Sequence, residues 1–388
     1  FTGLALLMAA QNGRLDLDAP ATDIVPDLPV RNPWRETHPL RIAHLIEHTA
    51  GLPDLSREEF DHSEPMELRA ALAWKANGRR CLWPPGMHHS YTNAGAGLAA
   101  LVLEEATGQS YEDFVEQRIF VPLGMETAGF FPDPPTLEAL ATGYDSDGYT
   151  VIPYWHMLYR AFGAINARPV EMAALLQMLL NRGIYRGRRL LSASAVDRME
   201  TPATTLAARS GLRYGYGLGN YAWLHNGVLF HGHGGDGDGY LSRLGYSRER
   251  NLGYFVVINV FRNPDLDHFR DLIEDFIADG AQPDQPPRYD PSADSLSRLA
   301  GNYESVTSRF PGNALLRAKT ITLRQEGMAL FIDRNGRTRR LVPVNDRHFR
   351  YEDETVATSA FIMDHGKTYF QDDGGNYLKM QEAAGTDP

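Results

Sequence analysis

The sequence predicts two domains, an α/β (α+β) domain of helices and strands and a smaller all-β domain that follows it. The chain has 388 residues, which is more than one hydrophobic core usually organises. Apolar helical segments and short apolar strands fill residues 1–280, whereas residues 293–388 consist of short alternating segments separated by turn residues. Residues 281–292 are rich in proline and predict a linker between the two domains.

Five segments of the first domain have helical periodicity. The stretch FTGLALLMAAQNG is apolar on nearly every face and ends in Asn12-Gly13, which predicts a buried helix. Further helices are predicted from about Leu40 to His48, from Asn93 to Gly108 and from Val170 to Gly183. The amphipathic stretch LDHFRDLIEDFIADG predicts a helix that closes the domain.

Strands are predicted on either side of the linker. In the first domain they are LSRLGYS and NLGYFVVINV, and the second is apolar enough for a central position in a sheet. After the linker, TITLRQEG, ALFIDRNG, RRLVPVND, HFRYED, SAFIMDHG, KTYFQDDGG and YLKMQE alternate in polarity and are separated by Gly, Asn and Asp. This pattern predicts an antiparallel barrel or sandwich.

Composition and charge exclude several classes of protein. The chain is 43% hydrophobic and 22% charged, as globular proteins are. The chain has 38 Lys and Arg against 49 Asp and Glu, and the basic residues form no sustained cluster. We therefore expect no nucleic-acid partner. No apolar run reaches the roughly 18 residues of a membrane span. The single Cys81 excludes an intrachain disulfide and is interpreted as a buried or incidental thiol.

Two segments could hold a metal ion. HLIEH places His44, Glu47 and His48 in the H-x-x-E-H pattern of a zinc hydrolase, and its alternative interpretation is the end of a helix. In FHGHGGDGDGYLS, His231 and His233 could face the same side of a strand, but GGDGDG lacks the ligand series of a calcium loop. A zinc hydrolase stays an alternative function, although we expect no metal.

The tripeptide Tyr91-Thr92-Asn93 lies just before a predicted helix. A tyrosine and an asparagine two positions apart in an extended loop point to the same side, so a phenol and an amide could reach one substrate. A turn with an asparagine helix cap is the other interpretation.

Taken in order, seven segments of the chain resemble the serine hydrolases related to class C β-lactamases and penicillin-binding proteins, a family that includes D-aminopeptidases, D-Ala-D-Ala carboxypeptidases and esterases. They are FTGLALL, HLIEHTAGLP, PPGMHHSYTN, FVPLGMETAGF, AFGAINARPVEMAALLQMLLNRG, YGYGLG, and HGHGGDGDGYLS followed by NLGYFVVINV. The resemblance covers about Phe1 to Gly280. It implies a β-lactamase/transpeptidase-like fold for residues 1–280, with an antiparallel sheet flanked by helices, and residues 293–388 resemble the lipocalin-like barrels of some members.

The resemblance implies which residues form the active site. Tyr91-Thr92-Asn93 matches the family's Tyr-x-Asn motif, and His233-Gly234-Gly235 matches its His-x-Gly motif. Tyr91, as proton relay, and His233, as a polar or cationic contact, would be catalytic. The implied substrate-binding residues are Asn93, Gly234, Gly235 and Asp236. The two glycines would let a substrate approach the backbone, and the backbone N–H of Asp236 would stabilise an oxyanion.

The family's first motif, a Ser-x-x-Lys on a buried helix, does not occur in the chain. FTGLALL resembles the part of the nucleophile helix that follows it, so we expect the serine about five positions and the lysine about two positions ahead of Phe1. The sequence is therefore interpreted as an N-terminally incomplete record of an active enzyme. The alternative is a truncated or inactive relative that only binds ligand.

The implied reaction is hydrolysis of an amide or ester in a small-molecule or peptide substrate through an acyl-enzyme, without a metal or organic cofactor. In the motif that His233-Gly234-Gly235 matches, a lysine at the first position would suit a substrate carboxylate. His233 at that position therefore favours a D-aminopeptidase, carboxypeptidase or esterase over a β-lactamase. The barrel would wall the cleft and restrict substrate size, or serve assembly into an oligomer. The resemblance favours a periplasmic or secreted location.

Overall fold

The structure is a computed structural model that describes residues 1–74, 79–132, 134–284, 286, 289–311 and 320–381. Helices flank a four-stranded antiparallel sheet in the first part of the chain, and a closed barrel of eight antiparallel strands follows. The predicted α+β domain and the predicted barrel are both confirmed, and closure excludes the sandwich. Residues 285, 287 and 288 of the predicted linker lie outside the described residues, so the domain boundaries stay a prediction.

The α-helices of the described chain are short apart from three. They are α1 (Thr2–Gln11), α2 (Ile42–Ile46), α3 (Leu68–Trp74), α4 (Ala94–Thr107), α5 (Tyr111–Val115), α6 (Val121–Leu123), α7 (Pro134–Ala139), α8 (Met172–Leu180), α9 (Ala193–Glu200), α10 (Leu206–Arg209), α11 (Asn263–Ala278) and α12 (Ala293–Leu299). Among the described residues, no helix combines the length and the apolar character that crossing a bilayer requires.

The strands fall into the main sheet, the barrel and three two-stranded pairs. The strands of the first domain are β1 (Asp61–His62), β2 (Gly143–Tyr144), β3 (Val151–Ile152), β4 (His156–Met157), β5 (Ile184–Tyr185), β6 (Arg188–Arg189), β7 (Tyr221–His225), β8 (Val228–Gly237), β9 (Tyr240–Ser247) and β10 (Leu252–Ile258). Those of the barrel are β11 (Gly301–Ser305), β12 (Thr320–Glu326), β13 (Ala329–Arg334), β14 (Arg337–Pro343), β15 (His348–Tyr351), β16 (Ser359–Asp364), β17 (Lys367–Asp372) and β18 (Gly375–Lys379).

The core of the first domain forms around α1 and α4, as the sequence predicts. The side chains of α1 are buried along almost its whole length, and α4 ends at Gly108 in the left-handed conformation with φ of 71°. Gly95 lets α4 approach α2 closely, because a Cβ there would overlap the carbonyl of Leu45. This contact fixes the loop before α4 against the end of α2.

The predicted helix from Leu40 to His48 is shorter in the structure. It covers only Ile42–Ile46, and His48 has a φ of 55°, outside the helical range. The chain leaves the helix because tertiary contacts replace the helical hydrogen bonds: Ser90 N donates to the His48 carbonyl at 2.8 Å, and Gly86 N donates to the Thr49 carbonyl at 2.8 Å. His48 is thereby turned toward the loop that precedes Asn93.

The main sheet has the strand order β10-β9-β8-β7. The segment NLGYFVVINV forms β10, but among the described strands it lies at the outer position and not at the predicted central one. Its apolar character is explained by the helices α8 and α11, both of which contact it. The prediction was wrong because helix packing and central strand pairing produce the same apolar pattern.

The barrel runs from β11 to β18, and β18 pairs with β11 to close it. It docks on the first domain through a small apolar cluster in which α10 meets β16 and β17. The buried members are Leu206, Ala207, Leu212, Ala360, Ile362 and Tyr369. Asn376 Nδ2 of the barrel also donates to the His89 carbonyl at 2.7 Å, so the barrel contacts the loop that leads to Tyr91.

The remaining structural prediction concerns the thiol. Cys81 is buried and unpaired, and burial raises its pKa to about 12. This agrees with the interpretation of a buried thiol.

Candidate active site

The unequal lengths of β7 and β8 open one edge of the sheet. β7 pairs with β8 only as far as Tyr221 opposite Gly232, whereas β8 continues to pair with β9 up to Gly237. From His233 onward, β8 therefore pairs with no strand on its β7 side within the described part of the chain. That side of the strand faces a cavity of about 1680 Å³.

The cavity collects all the site residues that the sequence predicts. Its lining includes Tyr91, Asn93, His233, Gly234, Gly235 and Asp236. Phe1 and Thr2, at the amino end of α1, line it as well. The strand edge, the loop before α4 and the start of α1 thus meet at one place.

The Tyr91-Thr92-Asn93 loop is held from beneath by buried polar contacts. Thr92 is buried, and its Oγ1 donates to the Pro53 carbonyl at 2.8 Å. Asn93 N donates to Asp54 Oδ1 at 2.7 Å, and the Tyr91 hydroxyl donates to Asn93 Oδ1 at 3.3 Å. The phenol and the amide therefore lie side by side, as their spacing in the sequence predicts, and the Asn93 side chain makes no capping hydrogen bond to the helix that follows it.

His233 makes two hydrogen bonds, and burial favours its neutral form. Its Nδ1 lies 2.5 Å from the Gly234 carbonyl, to which it donates. Its Nε2 lies 2.6 Å from the Tyr216 hydroxyl, which must then donate to it. Burial lowers the pKa of His233, opposed by the Gly234 carbonyl. The imidazole is thus a polar group in the resting site and not a cation.

Aromatic rings pack around these residues. The His48 ring lies 4.1 Å from the Tyr91 ring and 4.5 Å from the Tyr216 ring, centroid to centroid. The Tyr91 and His233 rings are 6.3 Å apart. Burial, with neighbouring His89 and His233, holds the pKa of His48 well below its usual value, and burial raises the pKa of Tyr91 to about 12.

The two glycines of the strand edge lie close to side chains of the neighbouring strand β9. A Cβ at Gly235 would lie 2.7 Å from Ser242 Oγ, and one at Gly234 would lie 3.1 Å from Arg243 Nη1. The Asp236 carboxylate pairs with Arg243 Nη1 at 2.6 Å. This ion pair holds the Asp236 carboxylate against Arg243 of β9, and Asp236 lines the cavity.

The HLIEH residues do not come together as metal ligands. Glu47 Oε2 accepts from Thr204 N at 2.9 Å and from Thr204 Oγ1 at 2.5 Å, and its Oε1 pairs with Arg198 at 2.5 Å. His48 faces Tyr91, whereas His44 Nδ1 accepts from a backbone N–H at 3.2 Å. Within the described residues these three form no cluster of donor atoms. The geometry therefore does not support the zinc interpretation.

Another trio has donor atoms within 4.8 Å of one another, namely His225, Asp271 and Glu274. It lies between β7 and α11, away from the cavity. Glu274 accepts from Trp223 Nε1 at 3.0 Å, and His225 Nε2 lies 2.7 Å from Asp275. These partners account for the trio as a network that ties the helix to the sheet.

Four residues of the site escaped the sequence reasoning. Tyr216 lies in YGYGLG, which contributed to the resemblance but received no role, and His48 was considered only as a metal ligand or as part of a helix end. Asp54 and Arg309 were not considered at all. The Arg309 guanidinium lies over the Tyr91 ring with its Cζ 4.5 Å from the centroid, and it pairs with Asp54 at 2.7 Å.

Comparison with known proteins agrees with this architecture. Residues 1–278 match the family described as Beta-lactamase, so the chain belongs to the beta-lactamase family, whose members are serine hydrolases. Penicillin-binding protein 4 of Amycolatopsis lactamdurans is 26% identical over 318 residues, which are 78% of this chain and 82% of that protein. The chain spans only 33% and 53% of two other relatives, both from Bacillus subtilis (strain 168).

Solved structures show the same fold. The octameric penicillin-binding protein homologue from Pyrococcus abyssi has a TM-score of 0.56 at 21% identity, over 97% of this chain and 86% of that one. The D-amino acid amidase from Ochrobactrum anthropi SV3 has a TM-score of 0.59 at 22% identity, over 72% of this chain and 82% of that one. At these identities the likeness establishes the fold and not the substrate.

Proposed function

We propose that this protein hydrolyses amide or ester bonds through an acyl-enzyme, with Tyr91 as the group that moves the proton. The observation that supports this most directly is that Tyr91, Asn93 and His233 line one cavity together with the amino end of α1. A buried phenol, an amide and an imidazole beside an unpaired strand edge are the groups that acyl transfer uses.

The nucleophile of this reaction is not among the 388 residues, since they contain no Ser-x-x-Lys. We propose that it is a serine carried by a helical turn ahead of Phe1, because α1 points its amino end into the cavity. Positive charge at a helix amino end favours a developing anion there. The experiments on activity therefore use the full product of the natural gene.

Tyr91 would transfer the proton of the nucleophile. Because burial raises its pKa to about 12 even with the Arg309 charge nearby, the phenol is protonated at neutral pH. A cation close to the hydroxyl lowers the pKa and lets the phenol act as a base, and the same group then returns the proton to the leaving group. Arg309 supplies one such charge, and the lysine of the family's first motif would supply another.

The neutral imidazole of His233 bears on substrate choice. With Nε2 accepting from Tyr216, the ring offers no positive charge to a substrate carboxylate. This supports amides or esters without a carboxylate at that position and weighs against β-lactams. The backbone N–H of Asp236, on the open edge of β8, is proposed as one of the two donors to the oxyanion.

The proposed substrates are amides or esters of D-amino acids and short peptides. Two structural neighbours are described as a D-amino acid amidase and a D-stereospecific amidohydrolase, and the large cavity has room for a peptide. The carboxypeptidase and esterase activities of the same class are tested alongside.

The first test is the intact mass of the full product before and after a fluorophosphonate probe. We expect a mass above the 43.3 kDa of these 388 residues and one adduct per chain. A mass equal to that of the 388 residues with no adduct would contradict the proposal and support a relative that only binds ligand.

The second test is Tyr91→Phe against a panel of D- and L-amino acid amides, p-nitrophenyl esters and a chromogenic β-lactam. We expect kcat to fall about 100-fold or more, the range of a lost proton-transfer group. Tyr154→Phe is the matched control, since Tyr154 lines the same cavity and its hydroxyl accepts from Asn166 Nδ2 at 3.1 Å. Normal turnover by Tyr91→Phe would sink the assignment.

A further inference from the structure

One residue of the barrel reaches the candidate active site of the first domain. Arg309 follows β11, and its carbonyl accepts from Asp54 N at 2.9 Å. Its Nε and its Nη2 each lie 2.7 Å from Asp54 Oδ2. The same pair of residues is thus joined through backbone and side chain, which fixes the guanidinium in one place.

The partner carboxylate is itself part of the site. The Asp54 side chain is fully buried, and its Oδ1 accepts from Asn93 N at 2.7 Å and from Asn93 Nδ2 at 3.2 Å. A buried carboxylate needs a cation or several donors to remain charged. Arg309 is the cation that pairs with it, so the barrel helps to hold the amide that bonds the Tyr91 hydroxyl.

The guanidinium also contacts Tyr91 directly. Its Cζ lies 4.5 Å from the centroid of the Tyr91 ring, within the range of a cation–π interaction. Arg309 remains 44% exposed on its other side and lines the cavity. One face of the guanidinium therefore touches the proposed proton relay while its edge binds the carboxylate beneath Asn93.

We propose that Arg309 is a positioning residue of the active site, supplied by the barrel, and that docking of the barrel completes the site by fixing Tyr91 and Asn93 in their working geometry. The catalytic part of this proposal rests on the proposed function. The positional part rests on the contacts alone and can be tested without turnover.

The charges that surround Tyr91 come from several elements. His48, Tyr216 and His233 face it as neutral groups, and Asp54 and Asp236 oppose ionisation of the phenol. Arg309 acts in the opposite direction and favours the phenolate. Removing its charge should therefore move the activity change governed by Tyr91 to higher pH.

The activity test compares Arg309→Gln with Arg309→Lys in the full natural protein. We expect Arg309→Gln to lower kcat by about tenfold or more with KM changed by less than about threefold, since positioning of the proton relay is lost. Arg309→Lys keeps the charge without the planar fork and should recover part of the rate. The pH profile of Arg309→Gln should be displaced upward, which a loss of folding stability would not produce.

The control is Arg324→Gln. Arg324 is an exposed arginine of the same barrel, 45% exposed and paired with Asp333 at 2.5 Å, but it lies outside the cavity lining. The Arg324→Gln substitution should leave the rate, the pH profile and the Tm of the protein unchanged. If Arg309→Gln behaves like Arg324→Gln in rate and pH profile, the proposal is overturned.

A second readout does not depend on activity. In protein labelled with 13Cζ-tyrosine, the Tyr91 resonance is identified by its absence from Tyr91→Phe. We expect this resonance to move in Arg309→Gln and to stay in place in Arg324→Gln. A moved resonance in a protein without turnover would uphold the positioning contact while the proposed function fails, and an unmoved resonance would refute the contact whatever the activity.

Discussion

Glu47 offers the sharpest test of how the HLIEH segment works, because the zinc and the structural interpretations predict opposite results for Glu47→Ala. The carboxylate is fully buried, pairs with Arg198 and accepts two hydrogen bonds from Thr204. Through these contacts it ties the segment after α9 to the end of α2, beside His48. The structural interpretation predicts lost stability, whereas the zinc interpretation predicts lost activity in a stable protein.

The magnitude follows from what the substitution leaves behind. Thr204 is 6% exposed, so its N–H and its hydroxyl cannot turn to water when the carboxylate is removed. Arg198 is 25% exposed and recovers part of its hydration. Breaking a buried pair by removing one partner costs about 3–5 kcal/mol, and we expect the free energy of unfolding of Glu47→Ala to fall by that amount.

The assay is urea unfolding followed by tryptophan fluorescence, with zinc content measured on the same samples. Glu36→Ala is the control, because the Glu36 side chain is 83% exposed and pairs with the exposed Arg35 at 2.9 Å, an arrangement that contributes about 0–1 kcal/mol. If Glu47→Ala unfolds within about 1 kcal/mol of this control, or if the natural protein carries one zinc per chain that chelation removes together with activity, the reasoning is wrong.

Three further predictions concern close packing, pH and the imidazole of the site. Gly95→Ala should destabilise the first domain by about 1–3 kcal/mol, since its Cβ would overlap a backbone carbonyl of α2. The control Gly129→Ala, whose Cβ would have none of the described atoms within 4 Å, should leave the thermal unfolding unchanged. Burial lowers the pKa of His88 to about 4, below the value of about 6.5 in the unfolded chain. The unfolded state therefore binds more protons, and stability that is present above pH 6.5 is lost as the pH falls toward 4, by about 2 kcal/mol at pH 5. In urea unfolding measured at several pH values, His88→Gln should reduce this dependence of stability on pH. Tyr216→Phe removes the donor to His233 Nε2, so the pKa of His233 should rise in an NMR titration, and an unchanged or lower value would contradict the tautomer assigned to it.

Local patterns in the sequence predicted much of the fold. The apolar faces of α1 and α4, the glycine that ends α4 and the alternating segments of the barrel are each decided by neighbouring residues. The predicted helix to His48 was too long, because contacts with Gly86 and Ser90 turn the chain away. No local signal reports such contacts.

The candidate site shows the same division. Tyr91 and Asn93 were predicted together because they are two positions apart in the chain. Arg309 was not predicted, because 255 positions separate it from Asp54. Nothing in the local sequence around an arginine in a barrel turn indicates which distant residue it contacts. Tyr216 was within reach of sequence reasoning, since YGYGLG already contributed to the resemblance, but only the structure shows its hydroxyl against His233.

The neutral imidazoles of the cavity have a consequence for how the rate depends on pH. His48, His89 and His233 surround Tyr91 and Tyr216, and burial lowers the pKa of each of them, that of His89 to about 4. None of the three therefore changes its charge as the surroundings pass from neutral to mildly alkaline. The electric field at the phenol is then set by arginine and carboxylate, groups that keep their charge over the same range. Within that range the described imidazoles around Tyr91 keep one charge state, so we expect any change of rate with pH to come from the proton relay itself.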